Sequence, residues 1–452
     1  MSDLSNKSGI SGVRRFFESW LPSGSPEVRL FLLLMAIGLT IRVLIMPFFG
    51  HIDFFSEHRR IHGLHEHGGW YPGSRFVTTT VERLNYAVVA PLLPEANSMF
   101  DVVDLKQTTA SHLEYFAFVR HGTVMRAVFL LKIPYLLFDL ATAFMIFQML
   151  GRGRVGVRGA AMWLFNPITL FAFYIFGRYE AIVIAFMVLA VWMLWERKYI
   201  WSACGFGMAL WSREIMMLLL PFFLIAYWRS PFMGWRKKVG VTLILGVFAA
   251  FAANVLPRLL GMESILAGGD RSLAEFSQAR QILGFQIVWY FPFVSVCLML
   301  VYHLFTVRGS EIEGAFLRTL GMFFCLLFVF TIHSVHYVAW SMGVLIMLAA
   351  MHQEVAKAWG LFCLAWIAFW LVGTDLGVFT QWLAAPFSLW VVNIPTLPYV
   401  IERYVLKSLA FDWNMVIGAM RSVYAGALLI CFWKVLRSDK ALDAVEMKGV
   451  RS

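Results

Sequence analysis

The sequence predicts an all-α polytopic membrane protein, with about twelve transmembrane helices and a long first extracytoplasmic loop. Three observations carry that prediction. Of the 452 residues, 60% belong to the apolar and aromatic set and only 14% are charged, against about 25% charged in ordinary soluble domains. Mean hydropathy is +0.71. The apolar residues also fall in long runs separated by short polar ones. No soluble fold hides this much apolar surface behind so few charges, so a disordered chain and a soluble globular domain are both excluded. The net charge of +11 reflects orientation in a membrane rather than a nucleic-acid partner. The five cysteines (Cys204, Cys297, Cys325, Cys363 and Cys431) all lie in apolar runs without CxxC spacing, which points to neither a zinc site nor a disulfide framework.

A span needs about 20 mostly apolar residues. The first candidate is 30–49, preceded by 29 polar or mixed residues. It is too long for a signal peptide and lacks a small-residue cleavage site after it. The later candidates are 124–150, 160–176, 180–195, 201–212, 214–227, 240–257, 283–305, 314–332, 338–352, 359–375 and 411–433. Segments 201–212 and 214–227 are each too short to cross alone. They are one long helix broken near Arg213 or two half-spans.

Lys and Arg orient the set. Segments 1–29, 151–159, 196–200, 228–239, 306–313, 353–358 and 434–452 hold 20 Lys and Arg in 88 residues, against 13 in 143 for the opposite loops. The richer side is assigned to the cytoplasm, with both termini there. The layout is then a cytoplasmic segment 1–29, a single transmembrane domain 30–433 and a cytoplasmic tail 434–452. The outer loops are 50–123, 258–282 and 376–410. A bacterial inner membrane is the expected home of so compact a chain without a retention signal, with the endoplasmic reticulum as the alternative. No internal repeat is visible, which argues mildly against a transporter.

The long loop opens with His51-Ile52-Asp53-Phe54-Phe55-Ser56-Glu57-His58-Arg59-Arg60. In a helix, Asp53 and Glu57 share a face at i,i+4. Desolvation against Phe54 and Phe55 would raise the Asp53 pKa and make it a better base. The structural alternative is an interfacial Asp paired with Arg59 or Arg60. His51, His58, His62, His65 and His67 fall within 17 residues. Imidazoles coordinate divalent metals, but the spacing fits no closed tetrahedral pattern, and a wet polar rim around a substrate entrance is the favoured account. Residues 88–95 mix apolar and polar side chains as an interfacial segment does. Trp70-Tyr71-Pro72-Gly73 predicts a turn carrying interfacial aromatics.

Charges inside spans are costly and face the protein interior or water, so each is a default site hypothesis. The second span carries Lys132, Pro134, Tyr135 and Asp139. The third carries Asn166-Pro167 and ends in Gly177-Arg178-Tyr179-Glu180. Arg213 marks the break after the fifth. The ninth leads to Thr331, His333, Ser334, His336, Tyr337 and Trp340. The orientation sends Asp53, Arg178, Glu180, Arg213, His333 and His336 to one membrane face. One carboxylate among several cationic or proton-donating groups suits a phosphorylated lipid, because Arg clamps phosphate through paired hydrogen bonds and a phosphate leaving group needs such donors. Structural accounts stand beside this one: Asp139 pairs with Lys132 or bonds a helix end, Asn166-Pro167 kinks a helix, and Arg178 and Glu180 snorkel to headgroups.

At these residues the chain resembles the GT-C superfamily of integral-membrane glycosyltransferases, and among them the polyprenyl-phosphate-sugar-dependent enzymes, including mannosyltransferases. Asp53 stands in place of the acidic residue after the first span. Lys132, Pro134, Tyr135 and Asp139 are similar to an (R/K)xPyxxxD segment. Gly177-Arg178-Tyr179-Glu180 resembles a Gly-polar-x-acid element, followed by a basic residue at Arg213 and a late turn with His333, His336 and Tyr337. The likeness covers the first 230 residues best, then 314–352. Arg178 stands where many relatives have Gln, Arg213 where they have Lys, and Glu57 rather than a second Asp accompanies Asp53.

The resemblance implies inverting transfer of a sugar, mannose first, from a polyprenyl-phosphate donor to an acceptor hydroxyl on the extracytoplasmic face. Asp53 would be the base, with Glu57 in reserve. Arg213, His333, His336, Arg178 and Tyr337 would hold the donor phosphate, and Glu180, Trp340 and Arg59 the sugar or acceptor. No metal ligand is assigned, although a divalent metal is compatible with the chemistry. The expected partners are the lipid-linked donor, a glycan, glycolipid or protein acceptor, and membrane lipids, with no nucleic acid. The rival class is a transporter or flippase for a lipid-linked glycan, which also needs a basic outer cavity but no carboxylate placed for proton abstraction. A third is a subunit that only binds lipid or a partner.

Overall fold

The first helix, α1 (Pro26–Ile45), begins where the Ser25 hydroxyl accepts a hydrogen bond from the Val28 amide at 3.1 Å and Pro26 occupies the first turn, a combination that stabilises helix starts. The structure, a computed structural model, describes residues 25–68, 75–100, 112–252, 281–282, 285–287, 290–373, 382–395, 397–406 and 413–438. The predicted turn at 70–73, residues 1–24 and 439–452 of the terminal segments, most of loop 258–282 and parts of loop 376–410 lie outside the described residues.

Helices carry the fold. After α1 come α2 (Ile52–His67), α3 (Phe76–Val89), α4 (His112–Arg120), α5 (Val124–Leu131), α6 (Ile133–Met149) and α7 (Arg154–Leu164). Then follow α8 (Glu180–Trp195), α9 (Tyr199–Ser212), α10 (Leu220–Arg229), α11 (Trp235–Ala252), α12 (Tyr290–Thr306), α13 (Ile312–Phe330), α14 (Ala339–Met351), α15 (Gln353–Gly373) and α16 (Trp413–Arg437). Three strands of two or three residues, Gln281–Ile282, Phe285–Ile287 and Thr331–Ile332, pair antiparallel in that order. They are too short to change the class.

Five stretches are long and apolar enough to cross a membrane: Pro26–Phe48, Val124–Met149, Ile312–Phe330, Gln353–Val372 and Met415–Arg437. Each of the twelve predicted stretches contains helix among the described residues, but the other seven are shorter or interrupted. The chain between α9 and α10 breaks at Arg213, whose backbone is extended (φ −161°, ψ 126°), and runs on through a 3-10 turn at Glu214–Leu219. The predicted break is therefore present, at the predicted residue.

The helix α8 is apolar on every side and sits inside the bundle against α6, α9 and α14, as all-round apolarity requires. By contrast α1 buries only a stripe of Val28, Phe31, Gly38 and Arg42 against α7 and leaves Leu30, Leu33, Ile37 and Leu44 exposed. Such a face suits hydrocarbon. The described residues of the 50–123 insertion are also mostly helical. Phe55, Phe100, Tyr115 and Phe118 pack together under it, while Leu84, Val88 and Leu92 form an exposed apolar stripe, as expected of an interfacial segment.

Three buried charged groups find partners inside this bundle. Arg42 bonds Asp139, whose other donors are Trp163 Nε1 at 2.6 Å and Tyr174 Oη at 2.6 Å. Arg42 also donates to the carbonyls of Gly38 and Leu164. Asp139 thus pairs with Arg42 and not with Lys132, which corrects the predicted partner. Arg42 was hidden in the sequence because it lies within the first apolar run. Lys132 instead donates to the carbonyls of Met46, Phe49 and Tyr174. Replacing Asp139 by Leu leaves a buried guanidinium uncompensated and should cost about 3–5 kcal/mol, whereas the double variant Arg42→Met, Asp139→Leu should recover most of that loss. Thermal unfolding of wild type and the two variants in detergent checks it; a double variant as unstable as the single would refute the pairing.

Candidate functional site

The site is assembled from the interrupted ends of helices. At the end of α1, Pro47 sits in a 3-10 turn, and the chain passes through Gly50 to His51, which caps α2 by accepting from the Asp53 amide at 3.1 Å. The cap places Asp53 in the first turn of α2. The second contribution follows α7. Asn166 caps a short turn at Pro167–Leu170, accepting from the amides of Ile168 and Thr169. A π turn at Phe171–Ile175 then ends at Gly177. Gly177 has φ +81°, a left-handed conformation that only glycine adopts without cost, and a Cβ there would meet Phe54 at 3.0 Å and Lys132 at 3.1 Å. That turn delivers Arg178, Tyr179 and Glu180. The break at Arg213 gives the third contribution, and the 3-10 turn Val335–Val338 ahead of α14 gives the fourth.

These four pieces meet. The Asp53 carboxylate lies 3.4 Å from Arg178 Nη1 and 3.6 Å from His51 Nδ1, and its side chain is 41% exposed. Arg178 is only 8% exposed and faces Glu180 at 3.8 Å. Both carboxylate oxygens of the fully buried Glu180 lack a hydrogen bond among the described residues. Arg213 donates to Tyr179 Oη at 2.5 Å and to Tyr337 Oη at 2.9 Å, and its guanidinium lies 5.6 Å from the Trp340 ring centre. Phe176 is sandwiched between the His51 and His336 rings at 4.0 and 4.2 Å. Tyr337 stacks on Trp340 at 4.7 Å.

The Tyr179 ring is the centre of positive charge. Arg75, Arg178 and Arg213 stand 5.9, 5.0 and 5.7 Å from its centre. Asp53, Glu180 and Glu57 supply the opposing charge; Glu57 bonds Arg60 and lies 3.9 Å from Arg75. Burial alone would push the Asp53 carboxyl up. The His51 ring beside it, then the charges of Arg178 and His336, instead hold it well below the ordinary value. The expected rise is thus reversed, because the basic neighbours outweigh desolvation.

Of the predicted site residues, Asp53, Arg178, Glu180, Arg213, His336, Tyr337 and Trp340 are brought together. Asp53 pairs with Arg178 rather than with Arg59 or Arg60, and Arg178 and Glu180 are buried rather than snorkelling. Three residues fall elsewhere. His333 bonds Tyr424 of α16 at 3.1 Å. Arg59 bonds Glu114 of α4 at 2.7 Å. Glu57 is buried and paired with Arg60, and reaches the arginine group only at its edge, 3.9 Å from Arg75. Sequence reasoning missed Arg75, which no spacing links to the other arginines, and gave no role to His51 or Tyr179. Part of the histidine run is not a wet rim: His51, His58 and His62 are buried, and His62 bonds Tyr86 Oη at 2.7 Å, whereas His65 is exposed. Among the described residues no set of three His, Cys, Asp or Glu side chains is grouped to hold a metal.

Beside the site, under α2, lies a buried polar cluster. Tyr135 Oη donates to Glu82 at 2.6 Å and lies 3.4 Å from His58 Nε2. Burial, then the charge of Glu57, pushes the Glu82 carboxyl well above its ordinary 4.5, and burial pushes His58 down to about 3. Glu82 therefore keeps its proton in the fold at pH values where the unfolded chain has lost it. Its contribution to stability is complete below about pH 4.5 and is lost as pH rises toward its folded value. Glu82→Gln should remove that alkaline decline, flattening thermal stability against pH above 4.5 relative to wild type; an unchanged slope would refute the assignment. Compared with known proteins, the chain matches no family model and shows no significant similarity to a curated protein.

Proposed function

We propose that the chain is a membrane glycosyltransferase of the GT-C type, moving a sugar, mannose first, from a polyprenyl-phosphate donor to an acceptor hydroxyl at the extracytoplasmic face. The observation that carries this reading is the partly exposed carboxylate of Asp53, within ion-pair distance of a buried guanidinium that is one of three around Tyr179. A cluster of arginines suits the phosphate of a lipid donor. A carboxylate open to solvent beside it suits an acceptor that arrives from the aqueous side.

In this mechanism the acceptor hydroxyl gives its proton to Asp53 as its oxygen attacks the anomeric carbon. The bond from that carbon to the phosphate oxygen breaks, and the electron pair leaves with the phosphate. Arg213 and Arg178, with Arg75 at the edge, stabilise the charge that develops there. Tyr337 and Trp340 offer a flat face to the sugar or the first prenyl unit. The pairing of Asp53 with Arg178 keeps the carboxylate ionised but weakly basic. A donor phosphate competing for Arg178 would loosen that pair and raise the basicity of Asp53, so productive turnover requires donor binding before proton abstraction.

The test is sugar transfer by purified protein in lipid, offered polyprenyl-phosphate mannose, glucose and arabinose with a glycolipid extract. Asp53→Asn should lower turnover by about 10²–10⁴-fold while still binding donor. Arg213→Lys should weaken the site, since one ammonium cannot hold Tyr179 and Tyr337 in the planar, two-armed way of a guanidinium. Full transfer by Asp53→Asn would overturn the role of that carboxylate. Donor binding with neither transfer nor hydrolysis by wild type would favour a lipid-glycan carrier.

A further inference from the structure

At the opposite end of α1 from the candidate site, about 30 Å away by the rise of a 20-residue helix, a groove of about 470 Å³ opens between the starts of α1 and α7. Leu30, Val157 and Ala161 are among its walls, and Arg154, Arg158 and Glu27 are its charged residues. Arg154 and Arg158 are one helical turn apart on α7 and exposed. Among the described residues none of the three charged side chains has a hydrogen bond or ion pair. The groove also continues onto the outward face of α1, where Leu30, Leu33 and Ile37 are exposed.

We propose that this groove binds a membrane phospholipid whose head group carries both a phosphate and a primary ammonium, as an ethanolamine phospholipid does. The charge pattern selects that occupant. Two guanidiniums with no partner among the described residues match one phosphate, and basic pockets at the ends of transmembrane helices take lipid head groups. The single carboxylate, Glu27, opposes a purely anionic head group but accepts hydrogen bonds from an ammonium. A choline head group has no N–H to donate to it. The acyl chains lie along the exposed leucines of α1, whose 20 residues match the thickness of a hydrocarbon core. The site is separate from the proposed catalytic centre and does not depend on it.

The full-length protein, purified in mild detergent, is titrated with phosphatidylethanolamine, phosphatidylglycerol or phosphatidylcholine, with bound lipid counted by native mass spectrometry and thermal unfolding followed in parallel. Wild type should retain the ethanolamine lipid in preference to both others and unfold at a higher temperature with it. Removing both guanidiniums, Arg154→Gln with Arg158→Gln, should weaken retention about fivefold per arginine. Glu27→Gln should abolish the preference over phosphatidylglycerol while leaving phosphate-lipid binding intact. Ala161→Phe, which fills the groove without touching charge, should displace lipid of every kind. Equal retention of the three lipids by wild type, a preference for phosphatidylglycerol, or retention unchanged in the arginine double variant would each overturn the proposal.

Discussion

One ammonium group fixes the geometry on which the candidate site rests. Lys132, at the join of α5 and α6, donates to the carbonyls of Met46 and Phe49 at the end of α1 and to Tyr174 in the π turn. Those carbonyls belong to segments that lie far apart in sequence and would otherwise leave unpaired acceptors inside an apolar bundle, where each costs several kcal/mol. Pulling them onto one cation sets the exit of the first helix beside the exit of the third apolar stretch. The residues that follow the two exits are His51 and Asp53 on one side and Arg178, Tyr179 and Glu180 on the other. The ion pair between Asp53 and Arg178 is a consequence of that convergence.

The same logic explains why so many charges are tolerated in one place. A lone guanidinium buried among helices is expensive, and partners must offset it. Arg42 bonds Asp139 and two backbone carbonyls and faces the Tyr174 ring, leaving only Nη2 without a hydrogen bond among the described residues, which is the arrangement of a structural pair. Around Tyr179 the accounting is looser. Arg178 faces two carboxylates at 3.4 and 3.8 Å rather than in close bonds, and neither oxygen of Glu180 has a hydrogen bond among the described residues. A structural ion pair closes its hydrogen bonds. A site that exchanges partners with a ligand keeps them long, and that difference separates the two clusters on physical grounds.

Much of this was legible in the sequence, for a definite reason. Composition and apolar runs report burial in hydrocarbon, and Gly177 and Asn166-Pro167 report where a helix must stop, because their backbone or side-chain chemistry disfavours continuation; Arg213, a good helix former, is legible only as a charge within an apolar run. Asp53, Arg178, Glu180, Arg213, His336 and Tyr337 were all found as polar residues at such stops. What escaped were relations across space. Arg42 looked like part of an apolar run until Asp139 was seen against it, 97 residues away. Arg75 had no periodic or spaced partner in its own segment. His333 shares its turn with His336, yet a displacement of three residues carries it out of the site to Tyr424. The span count suffered from a related limit: hydropathy registers apolar stretches, but it does not distinguish a helix long enough to cross a bilayer from a shorter one enclosed by its neighbours, as α8 is.

The interruptions themselves are the common thread. Irregular backbone within an apolar bundle survives only where its amides and carbonyls are satisfied. At the π turn the Phe176 amide reaches back to Phe171 at 2.7 Å and the Arg178 amide to Ala172 at 3.0 Å; at the later break the Arg213 amide holds Ala209 at 3.0 Å. With these amides bonded, the side chains of Arg178 and Arg213 lie against a shared centre at Tyr179. A continuous helix would have turned successive side chains to different faces and spread the same charges around its circumference. Breaking the helices gathers the charges instead, and the partly exposed carboxylate of Asp53 sits within ion-pair distance of one of them.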